Sequence, residues 1–399
     1  MDMQNEAWRQ LETLLSENRS AVMARERAAA DLLAGAGAPP IVLFGAGNLG
    51  RKMLAGLREV GLRCVAFSDN APSRWGTTVE GLPLLSPADA AGRYGGQAVF
   101  IVTIWNGDSG HRFPVTRQQL HDLGCTSVMS FMPVFWSYAE RFLPYFAIEL
   151  PHRVIEAKEG IRGAMALWSD EASRREYVAQ VRWRLWADFD AFSLPVADEE
   201  YFPPDLFALT PDDVLADCGA FDGDTIRSVV ERLRMPFRQL HAFEPDPGSF
   251  RALQAYVAAL LGEVQHRIVL HDLATSSHWE TASFDASGSL ASSLSATGSA
   301  QVRCAPLDDV LADSPPTFIK MDVEGAELAS LRGAEHLVRS HHPILALSAY
   351  HRQSDLWEIP LLVQSFSDRY CFFLRPHQLE GFQLVCYAVP QERLLSPRM

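Results

Sequence analysis

Apolar residues follow helical spacing in some segments of the chain and form short continuous runs in others, which predicts alternating helices and strands. Residues 1–34 place apolar side chains at helical intervals from Trp8 to Met23, and Gly35 ends this pattern. We expect an N-terminal helix within residues 1–37 that packs on a neighbouring element.

A small α/β domain is predicted over residues 38–132. Short apolar runs alternate there with helical patterns, which is the order of a parallel sheet covered by helices. The predicted strands are 41–44, 63–68, 98–104 and 126–131, and the predicted helices are one that ends near Val60 and two at about 87–94 and 113–123.

Residues 133–205 differ in composition, because tryptophan and other aromatic residues occur there together with arginine. Ser169 offers an N-cap, and Asp170 and Glu171 give an acidic first turn to a long helix. We expect a helical connector that ends near the two prolines at 203–204.

Strands and helices alternate again over residues 206–399, which predicts a second parallel sheet covered on both faces. The predicted strands are 214–219, 239–244, 267–273, 317–322 and 343–349, and the predicted helices are about 224–234, 247–261, 325–339 and 355–367. Two more strands, 370–374 and 382–389, are joined by a segment too short for a crossover helix, so we expect an antiparallel hairpin. A doubly wound α/β sheet that ends in such a hairpin is typical of class I methyltransferases.

Residues 275–305 are rich in Ser, Ala, Gly and Thr. This composition predicts either a long loop or short extra strands. In either form, we expect the segment to act as a mobile cover over a site.

Length, charge and cysteine content narrow the class of protein. A chain of 399 residues is expected to form two domains, since domains usually contain about 100–200 residues. The net charge of −14 argues against a nucleic-acid partner, which requires clustered Lys and Arg. The first residues lack the basic start of a secretory signal, and no run approaches the roughly 18 apolar residues of a membrane span, so a cytoplasmic location is expected. The six cysteines include no Cys-x-x-Cys pair and are expected to be buried thiols.

The segment 214–225, Val-Leu-Ala-Asp-Cys-Gly-Ala-Phe-Asp-Gly-Asp-Thr, predicts a nucleoside site. An apolar strand runs into a turn with Gly219 and Gly223, a helix follows, and the next strand ends on Glu244, as in a nucleoside-binding βαβ unit. The glycines do not match Gly-x-Gly-x-x-Gly, so adenosine without a pyrophosphate fits better than a dinucleotide. Asp217 is expected to reach a ligand ammonium, and Glu244 to bridge both ribose hydroxyls.

A second cluster, Phe-Ile-Lys-Met-Asp-Val-Glu-Gly-Ala-Glu at 318–327, ends another predicted strand. Ligands of open α/β sheets bind beyond the carboxyl ends of the strands, so we expect Asp322 and Glu324 at a reacting edge. Glu327 is interpreted as an acid that stabilises the first turn of a helix. His351 ends the next strand on the same edge, where it is either a general base or a polar residue satisfied by a neighbouring loop.

The loop Gly45-Ala-Gly47-Asn-Leu-Gly50, with Asp69 at the end of the following strand, matches the dinucleotide pattern more closely. It predicts either a second nucleotide site, for NAD(P) or a nucleotide sugar, or a domain retained for packing. The run after it resembles nucleotide-binding folds that precede sugar-modifying enzymes. No Tyr-x-x-x-Lys pair of a dehydrogenase follows in the connector.

Five blocks stand out in the second predicted domain, at 217–225, 243–246, 307–309, 319–327 and 350–351. Together they resemble the FkbM-type S-adenosylmethionine-dependent methyltransferases over about residues 206–390, and Lys-Met-Asp-Val-Glu-Gly-Ala-Glu is the most specific block. The resemblance implies O-methylation of sugar or polyketide hydroxyls, with Asp322 and Glu324 facing the methyl group. It also implies a loop at 271–274 beside adenine and cofactor-binding residues at Asp217, Gly219, Ala220, Gly223, Thr225, Glu244, Asp272 and Asp322.

The leading hypothesis is an O-methyltransferase for a small-molecule or glycan acceptor, in which Asp322, Glu324 and His351 orient and deprotonate the hydroxyl. The spacing demands no metal and none is assigned, although Asp322 and a second carboxylate offer a place for a divalent ion. One alternative is an NAD(P)-dependent oxidoreductase or epimerase of a nucleotide sugar that uses the first glycine loop. Another is a non-catalytic protein that senses metabolites.

Aromatic residues of the connector raise a further question about the acceptor. Trp168, Trp183, Trp186 and Tyr201 offer surfaces on which a sugar could stack, but aromatic residues at helical spacing usually form core. We therefore expect core. The N-terminal helix and the connector are compatible with a homodimer.

Overall fold

A computed structural model of the chain describes residues 2–107, 111–196, 200–260, 262–285, 293–294 and 300–395. The chain divides into two compact units. The first contains Met1–Glu159, Arg175–Pro195 and Gln378–Phe382, and the second contains Gly160–Arg174, Val196–His377 and Gln383–Met399. Each unit is therefore built from three separate stretches of the chain.

Two helices, α1 (Asp2–Leu15) and α2 (Arg19–Leu33), begin the first unit. The single N-terminal helix expected from the sequence is interrupted. The side chain of Asn18 accepts hydrogen bonds from the N–H groups of Ser20 and Ala21, at 2.8 and 3.3 Å, and so caps a new helix.

The described part of the first unit contains one sheet. Its strands are β1 (Ile41–Phe44), β2 (Cys64–Ser68), β3 (Thr78–Val79), β4 (Leu82–Leu85), β5 (Val99–Val102) and β6 (Ser127–Ser130), connected in part by α3 (Asn48–Glu59), α4 (Pro87–Tyr94) and α5 (Phe113–Asp122). The strand order is β3-β4-β2-β1-β5-β6, and β1 pairs in parallel with β2 and β5, as predicted. The sequence did not predict β3 and β4. The strand β3 has only two residues, too few for a periodic pattern, and β4, with four residues that include Pro83, pairs with both β3 and β2.

Most of the predicted connector is helical, in α6 (Met132–Ser137), α7 (Ala139–Phe142), α8 (His152–Glu156), α9 (Lys158–Leu167) and α10 (Glu171–Trp186). The cap of α10 is Asp170 rather than Ser169, since its carboxylate accepts the N–H of Ser173 at 2.8 Å. The connector is divided between the two units instead of standing alone. In the first unit, the ring of Trp183 lies 5.8 Å from that of Trp105, and both belong to the hydrophobic core.

Within its described residues, the second unit contains eleven strands in two sheets. They are β7 (Val214–Cys218), β8 (Gln239–Phe243), β9 (Ile268–His271), β10 (Ala274–Thr275), β11 (Glu280–Asp285), β12 (Ser293–Leu294), β13 (Ala300–Ala305), β14 (Phe318–Met321), β15 (Ile344–Ser348), β16 (Tyr370–Pro376) and β17 (Leu384–Pro390). The larger sheet has the order β16-β17-β15-β14-β7-β8-β9. All its pairs are parallel except those of β17 with β15 and β16, which confirms the doubly wound sheet with a terminal antiparallel hairpin.

The smaller sheet has the order β10-β13-β11-β12 and answers the question left open for residues 275–305. Of the two predictions, short extra strands are present. Residues 286–292 and 295–299 of that segment lie outside the described residues, and its predicted role as a cover stays a prediction.

Helices of the second unit follow the predicted alternation, but the one predicted over 224–234 continues after Arg227 as a π-helix over Ser228–Arg232, and the one predicted over 325–339 is divided. They include α11 (Asp224–Arg227), α12 (Pro247–Ala259), α13 (Gly262–Gln265), α14 (Leu307–Val310), α15 (Glu327–Arg332), α16 (Glu335–His341) and α17 (Asp355–Phe366). The helix predicted over 325–339 is two helices, and Gly333 separates them where its backbone meets Ser276. A Cβ atom on Gly333 would lie 2.0 Å from the Ser276 carbonyl oxygen. Among the described residues, none of the helices combines the length and the apolar character needed to cross a membrane.

Candidate active site

The loop between β7 and α11 turns sharply at two glycines. Gly219 and Gly223 have φ angles of +81° and +93°, the left-handed region that favours glycine. A Cβ atom on Gly219 would lie 1.9 Å from the carbonyl oxygen of Asp322. The backbones of the loops after β7 and β14 therefore touch, and this contact brings the two predicted clusters to one edge of the sheet.

Glu244 follows β8, and its carboxylate is bound to the loop after β7. It accepts hydrogen bonds from the N–H of Phe221 at 2.9 Å and from the N–H of Asp246 at 2.7 Å. Burial raises the pKa of the Glu244 carboxyl to about 7, although both backbone N–H groups act to lower it. Glu244 thus lies beside the glycine loop, as expected, and its role towards a ribose stays a prediction.

Asp217, the last but one residue of β7, forms a buried ion pair that the sequence did not predict. The Lys320 ammonium lies 3.0 Å from its carboxylate and donates a hydrogen bond to the Gly219 carbonyl at 2.7 Å. Burial raises the pKa of Asp217 to about 6, while Lys320 opposes that rise. The pKa of Lys320 is raised above its usual range, because burial, which would lower it, is outweighed by Asp217 and other carboxylates. Both side chains therefore support the loop that carries Gly219.

The other residues of the implied cofactor set differ in exposure. The N–H of Ala220 donates to the carbonyl of Phe243 at 2.9 Å, and Thr225 is buried at the start of α11. Asp272 follows β9 and is exposed. Ala220 and Thr225 thus belong to the folded loop, while Asp272 presents its side chain to solvent.

The loop after β14 has two successive residues in the left-handed region. Glu324 has a φ of +51° and Gly325 a φ of +91°. A left-handed conformation costs a residue other than glycine about 1–2 kcal/mol, and such strain concentrates at functional sites. The N–H of Val323 donates to Oε1 of Glu327 at 3.0 Å, which closes the loop against α15. This backbone directs the side chains of Asp322 and Glu324 towards the same histidine.

His351 lies among three carboxylates just after β15. Its Nδ1 is 2.8 Å from Oε1 of Glu327, and its Nε2 is 3.4 Å from Oδ1 of Asp322 and 3.7 Å from Oε2 of Glu324. Burial alone would lower the pKa of His351, but Glu327, followed by Asp322 and Glu324, raises it to about 10. A protonated imidazole has no lone pair with which to accept a proton. The arrangement therefore favours a carboxylate over His351 as the base.

Two tyrosines hold the Asp322 carboxylate. The Tyr201 hydroxyl donates to Oδ2 at 2.9 Å, and the Tyr350 hydroxyl lies 3.4 Å from Oδ1. Burial would raise the pKa of Asp322, but the nearby Lys320 and His351 hold it below its usual range. Tyr201 was expected in the core; it is buried, and its hydroxyl also reaches the site.

Glu324 and Glu327 differ in their surroundings. Burial raises the pKa of Glu324 to about 7, with His351 acting in the opposite direction. Glu327 was interpreted only as a helix-stabilising acid, yet its side chain is fully buried and contacts His351. One donor atom from each of Asp322, Glu327 and His351 lies within 4.8 Å of the donor atoms of the other two.

In the glycine loop of the first unit, the carboxylate of Asp69 is bound by groups of the protein itself. Asp69 accepts the N–H of Ala46 at 3.2 Å, and Arg74 lies 3.2 Å from the same carboxylate oxygen. A Cβ atom on Gly50 would lie 2.0 Å from the carbonyl oxygen of Gly45. These contacts account for Gly45, Gly50 and Asp69 through packing, and ligand binding at this loop stays a prediction.

Comparison with known proteins agrees with the observed fold. Residues 217–374 match the family model described as the methyltransferase FkbM domain. The crystal structure of methyltransferase FkbM from Methylobacillus flagellatus KT aligns with a TM-score of 0.76 and 20% identity, over 97% of this chain and 99% of that chain. No curated protein sequence matches significantly.

Two further solved structures align only weakly. A putative rRNA-methylase from Clostridium thermocellum has a TM-score of 0.31 and 8% identity over 48% of this chain and 90% of its own. Precorrin 8w decarboxylase from Methanobacterium thermoautotrophicum has a TM-score of 0.26 and 12% identity over 44% and 80%. The similarity of this fold to known proteins is therefore supported by the Methylobacillus structure and by the family model. Over residues 217–374, the chain is thus similar to the methyltransferase FkbM domain.

Proposed function

We propose that the protein transfers a methyl group from S-adenosylmethionine to a hydroxyl oxygen of a sugar, glycan or polyketide-like acceptor. The observation that carries this proposal is the close approach of Gly219 to the Asp322 carbonyl. It joins a nucleoside-type loop to the acidic edge, by which we mean the sheet edge that carries Asp322, Glu324 and Glu327. Methyl transfer requires this neighbourhood, because cofactor and acceptor must meet within van der Waals distance.

For the cofactor, we assign the ribose to Glu244 and its neighbouring glycine loop. Glu244 accepts one backbone N–H on each oxygen, which fixes the carboxylate and leaves further lone pairs for the two ribose hydroxyls. Asp217 was expected to reach the ammonium of the ligand. Its ion pair with Lys320 supports a different role: Asp217 fixes the Lys320 ammonium, and that ammonium donates to the Gly219 carbonyl.

For the chemistry, the acceptor oxygen attacks the sulfonium methyl in line with the departing sulfur. The carbon–sulfur bond breaks as the carbon–oxygen bond forms, S-adenosylhomocysteine leaves, and the hydroxyl proton passes to a base. Glu324 is our candidate for this base, because its carboxylate faces the edge next to Asp322 while His351 is surrounded by acids. Asp322, fixed by Tyr201, orients the hydroxyl.

Calorimetry with S-adenosylhomocysteine tests the cofactor assignment. Glu244→Ala should weaken binding at least tenfold, because each ribose hydrogen bond to a charged acceptor contributes about 1.5–3 kcal/mol. Equal affinity in the two proteins would remove the ribose assignment. Transfer of labelled methyl from S-adenosylmethionine to glycans of a cell extract would exclude a purely sensing role.

The first unit carries the alternative function, an NAD(P)-dependent oxidoreductase or epimerase of a nucleotide sugar. The observation in its favour is Gly47, which caps α3 and has open space where a Cβ would stand. A nicotinamide fluorescence titration should show saturable binding that is lost in Gly47→Trp. If nicotinamide binding to the unaltered protein does not saturate, the glycine loop of the first unit has only a packing role.

A further inference from the structure

Several buried polar atoms around His351 have no hydrogen-bond partner within the described part of the chain. They include Nε2 of His351, Oε2 of Glu327 and Oδ1 of Asp355. The His351 side chain is 3% exposed and that of Glu327 is 0% exposed. Such atoms are rare in folded proteins, because burying an unsatisfied polar group costs about 1–3 kcal/mol.

The ring of His351 is oriented as a metal ligand would be. Its Nδ1 lies 2.8 Å from Oε1 of Glu327, and that oxygen is itself fixed by the N–H of Val323. Histidines that bind metals usually donate the second ring N–H to a carboxylate in this way. The other nitrogen, Nε2, faces Oδ1 of Asp322 at 3.4 Å and Oε2 of Glu324 at 3.7 Å. Without a metal these acids favour a proton on Nε2; a bound ion would displace that proton and take the lone pair.

The charge around this histidine is strongly negative. Asp322, Glu324 and Glu327 face its ring directly, and Asp355 of α17 also interacts with it electrostatically. Among the basic groups nearby, Lys320 is paired with Asp217, and the Arg352 side chain lies against Gly325. The four carboxyl groups thus outnumber the basic groups that act on them, which are His351, Lys320 and Arg352, and Lys320 is shared with Asp217. A bound cation would compensate the buried negative charge.

We infer that Asp322, Glu324 and His351 bind a divalent metal ion through Oδ1, Oε2 and Nε2. Ligand atoms that surround an ion at about 2.1 Å lie roughly 3.0–3.5 Å apart. Nε2 of His351 lies 3.4 Å from Oδ1 of Asp322 and 3.7 Å from Oε2 of Glu324, so each carboxylate can share an ion with this nitrogen. Glu327 acts from the outer sphere by orienting His351. Tyr201 orients Asp322 by donating to Oδ2, and an ion at Oδ1 would replace the longer, 3.4 Å contact of the Tyr350 hydroxyl.

The mixed donor set indicates the kind of ion. Imidazole suits Fe²⁺ and Zn²⁺, and carboxylates suit Mn²⁺, so one imidazole with two carboxylates fits any of these three ions, whereas Mg²⁺ and Ca²⁺ prefer oxygen donors alone. Three protein ligands leave coordination positions for water or a substrate oxygen. The inference rests on the proposed function in one respect, namely that the open position takes the acceptor hydroxyl, lowers its pKa and so eases proton transfer to the free oxygen of Glu324.

Metal binding can be measured without any methyl transfer. The full chain, treated with a chelator and dialysed, is titrated with Mn²⁺ in the absence of cofactor, and free Mn²⁺ is followed by electron paramagnetic resonance. We expect one equivalent to bind. Glu324→Gln and His351→Gln should each weaken binding at least tenfold, and Glu327→Gln, in the outer sphere, by about 10–100-fold. Glu335→Gln, which neutralises an exposed carboxylate on α16, is the control and should bind like the unaltered protein.

Circular dichroism melting separates loss of ligand from loss of fold, and Glu324→Gln is the informative variant if His351→Gln unfolds. The inference is overturned if the folded protein binds neither Mn²⁺ nor Zn²⁺ below about 1 mM, an affinity too weak for a built site. It is also overturned if Glu335→Gln loses as much affinity as Glu324→Gln. Calorimetry with S-adenosylhomocysteine on the same samples reports the proposed function separately, because Glu244 rather than the metal ligands decides that result.

Discussion

The Lys320 ammonium lies 3.0 Å from the Asp217 carboxylate, and both side chains are almost completely buried. Removing one partner of such a pair leaves an uncompensated buried charge, which typically costs 3–5 kcal/mol. The pair also supports the Gly219 carbonyl, so its loss reaches the cofactor loop. The second unit therefore contains a charge pair whose contribution can be measured by a double-mutant cycle.

Lys320→Met should lower the free energy of unfolding by about 3 kcal/mol, and adding Asp217→Asn should restore part of it, because no unpaired charge then remains. Urea unfolding followed by circular dichroism measures the four free energies of the cycle. Additive effects of the two substitutions would show that the side chains do not interact across the 3.0 Å gap.

Gly219→Ala should disrupt the junction of the two site loops. Its Cβ would lie 1.9 Å from the Asp322 carbonyl oxygen, and the φ of +81° disfavours any side chain. We expect a loss of at least about 2 kcal/mol in the free energy of unfolding and no detectable binding of S-adenosylhomocysteine. Gly262→Ala is the matched control, since Gly262 lies in α13 with open space around it and an ordinary φ. Equal melting temperatures of the two variants would contradict the close approach.

The sequence predicted where individual site residues lie, because the carboxyl ends of parallel strands share one edge of a sheet. Glu244, Asp322 and His351 each end or follow a strand of that sheet, and the structure has them on that edge. The alternation of apolar runs and helical patterns correctly predicted that most strands pair in parallel. The short link between β16 and β17 correctly predicted their antiparallel hairpin.

Partners of those residues could not be predicted in the same way. Glu327 contacts His351 across 24 positions, and Tyr201 contacts Asp322 across 121. No local spacing encodes contacts of that range, since they depend on how the loops close. Glu327 also satisfied a local explanation, as an acid in the first turn of a helix, which hid its second role. The division of the connector between two units likewise depends on packing at long range, such as that of Trp183 on Trp105.

The pKa of Glu244 predicts opposite effects of pH on ligand binding and on folding. Its folded value of about 7 lies above the ordinary value of 4.5, so its contribution to the free energy of unfolding is complete below pH 4.5 and is lost as the pH rises through 7. Ribose hydroxyls donate to the ionised carboxylate, so affinity for S-adenosylhomocysteine should rise over the same range, by up to about tenfold per pH unit below 7. In Glu244→Gln, neither the free energy of unfolding nor the affinity for S-adenosylhomocysteine should show this dependence on pH. Calorimetry and urea unfolding between about pH 4.5 and 8 measure them, and parallel slopes in the variant would assign the effect to other groups.

Tyr201→Phe tests whether the orientation of Asp322 matters for methyl transfer. The substitution removes one hydrogen bond of 2.9 Å to Oδ2 and keeps the buried ring, so the free energy of unfolding should fall by only about 1 kcal/mol. Glu244 is not touched, and binding of S-adenosylhomocysteine should stay within a factor of two or so. The rate of methyl transfer under saturating cofactor should fall about tenfold, because a freed carboxylate no longer holds the acceptor hydroxyl in line with the methyl group. Tyr256→Phe, which removes an exposed hydroxyl bonded to Glu231 in the same unit, is the control and should transfer methyl at the unaltered rate. If both variants slow the reaction alike, or if Tyr201→Phe leaves the rate unchanged, the hydroxyl of Tyr201 has only a structural role.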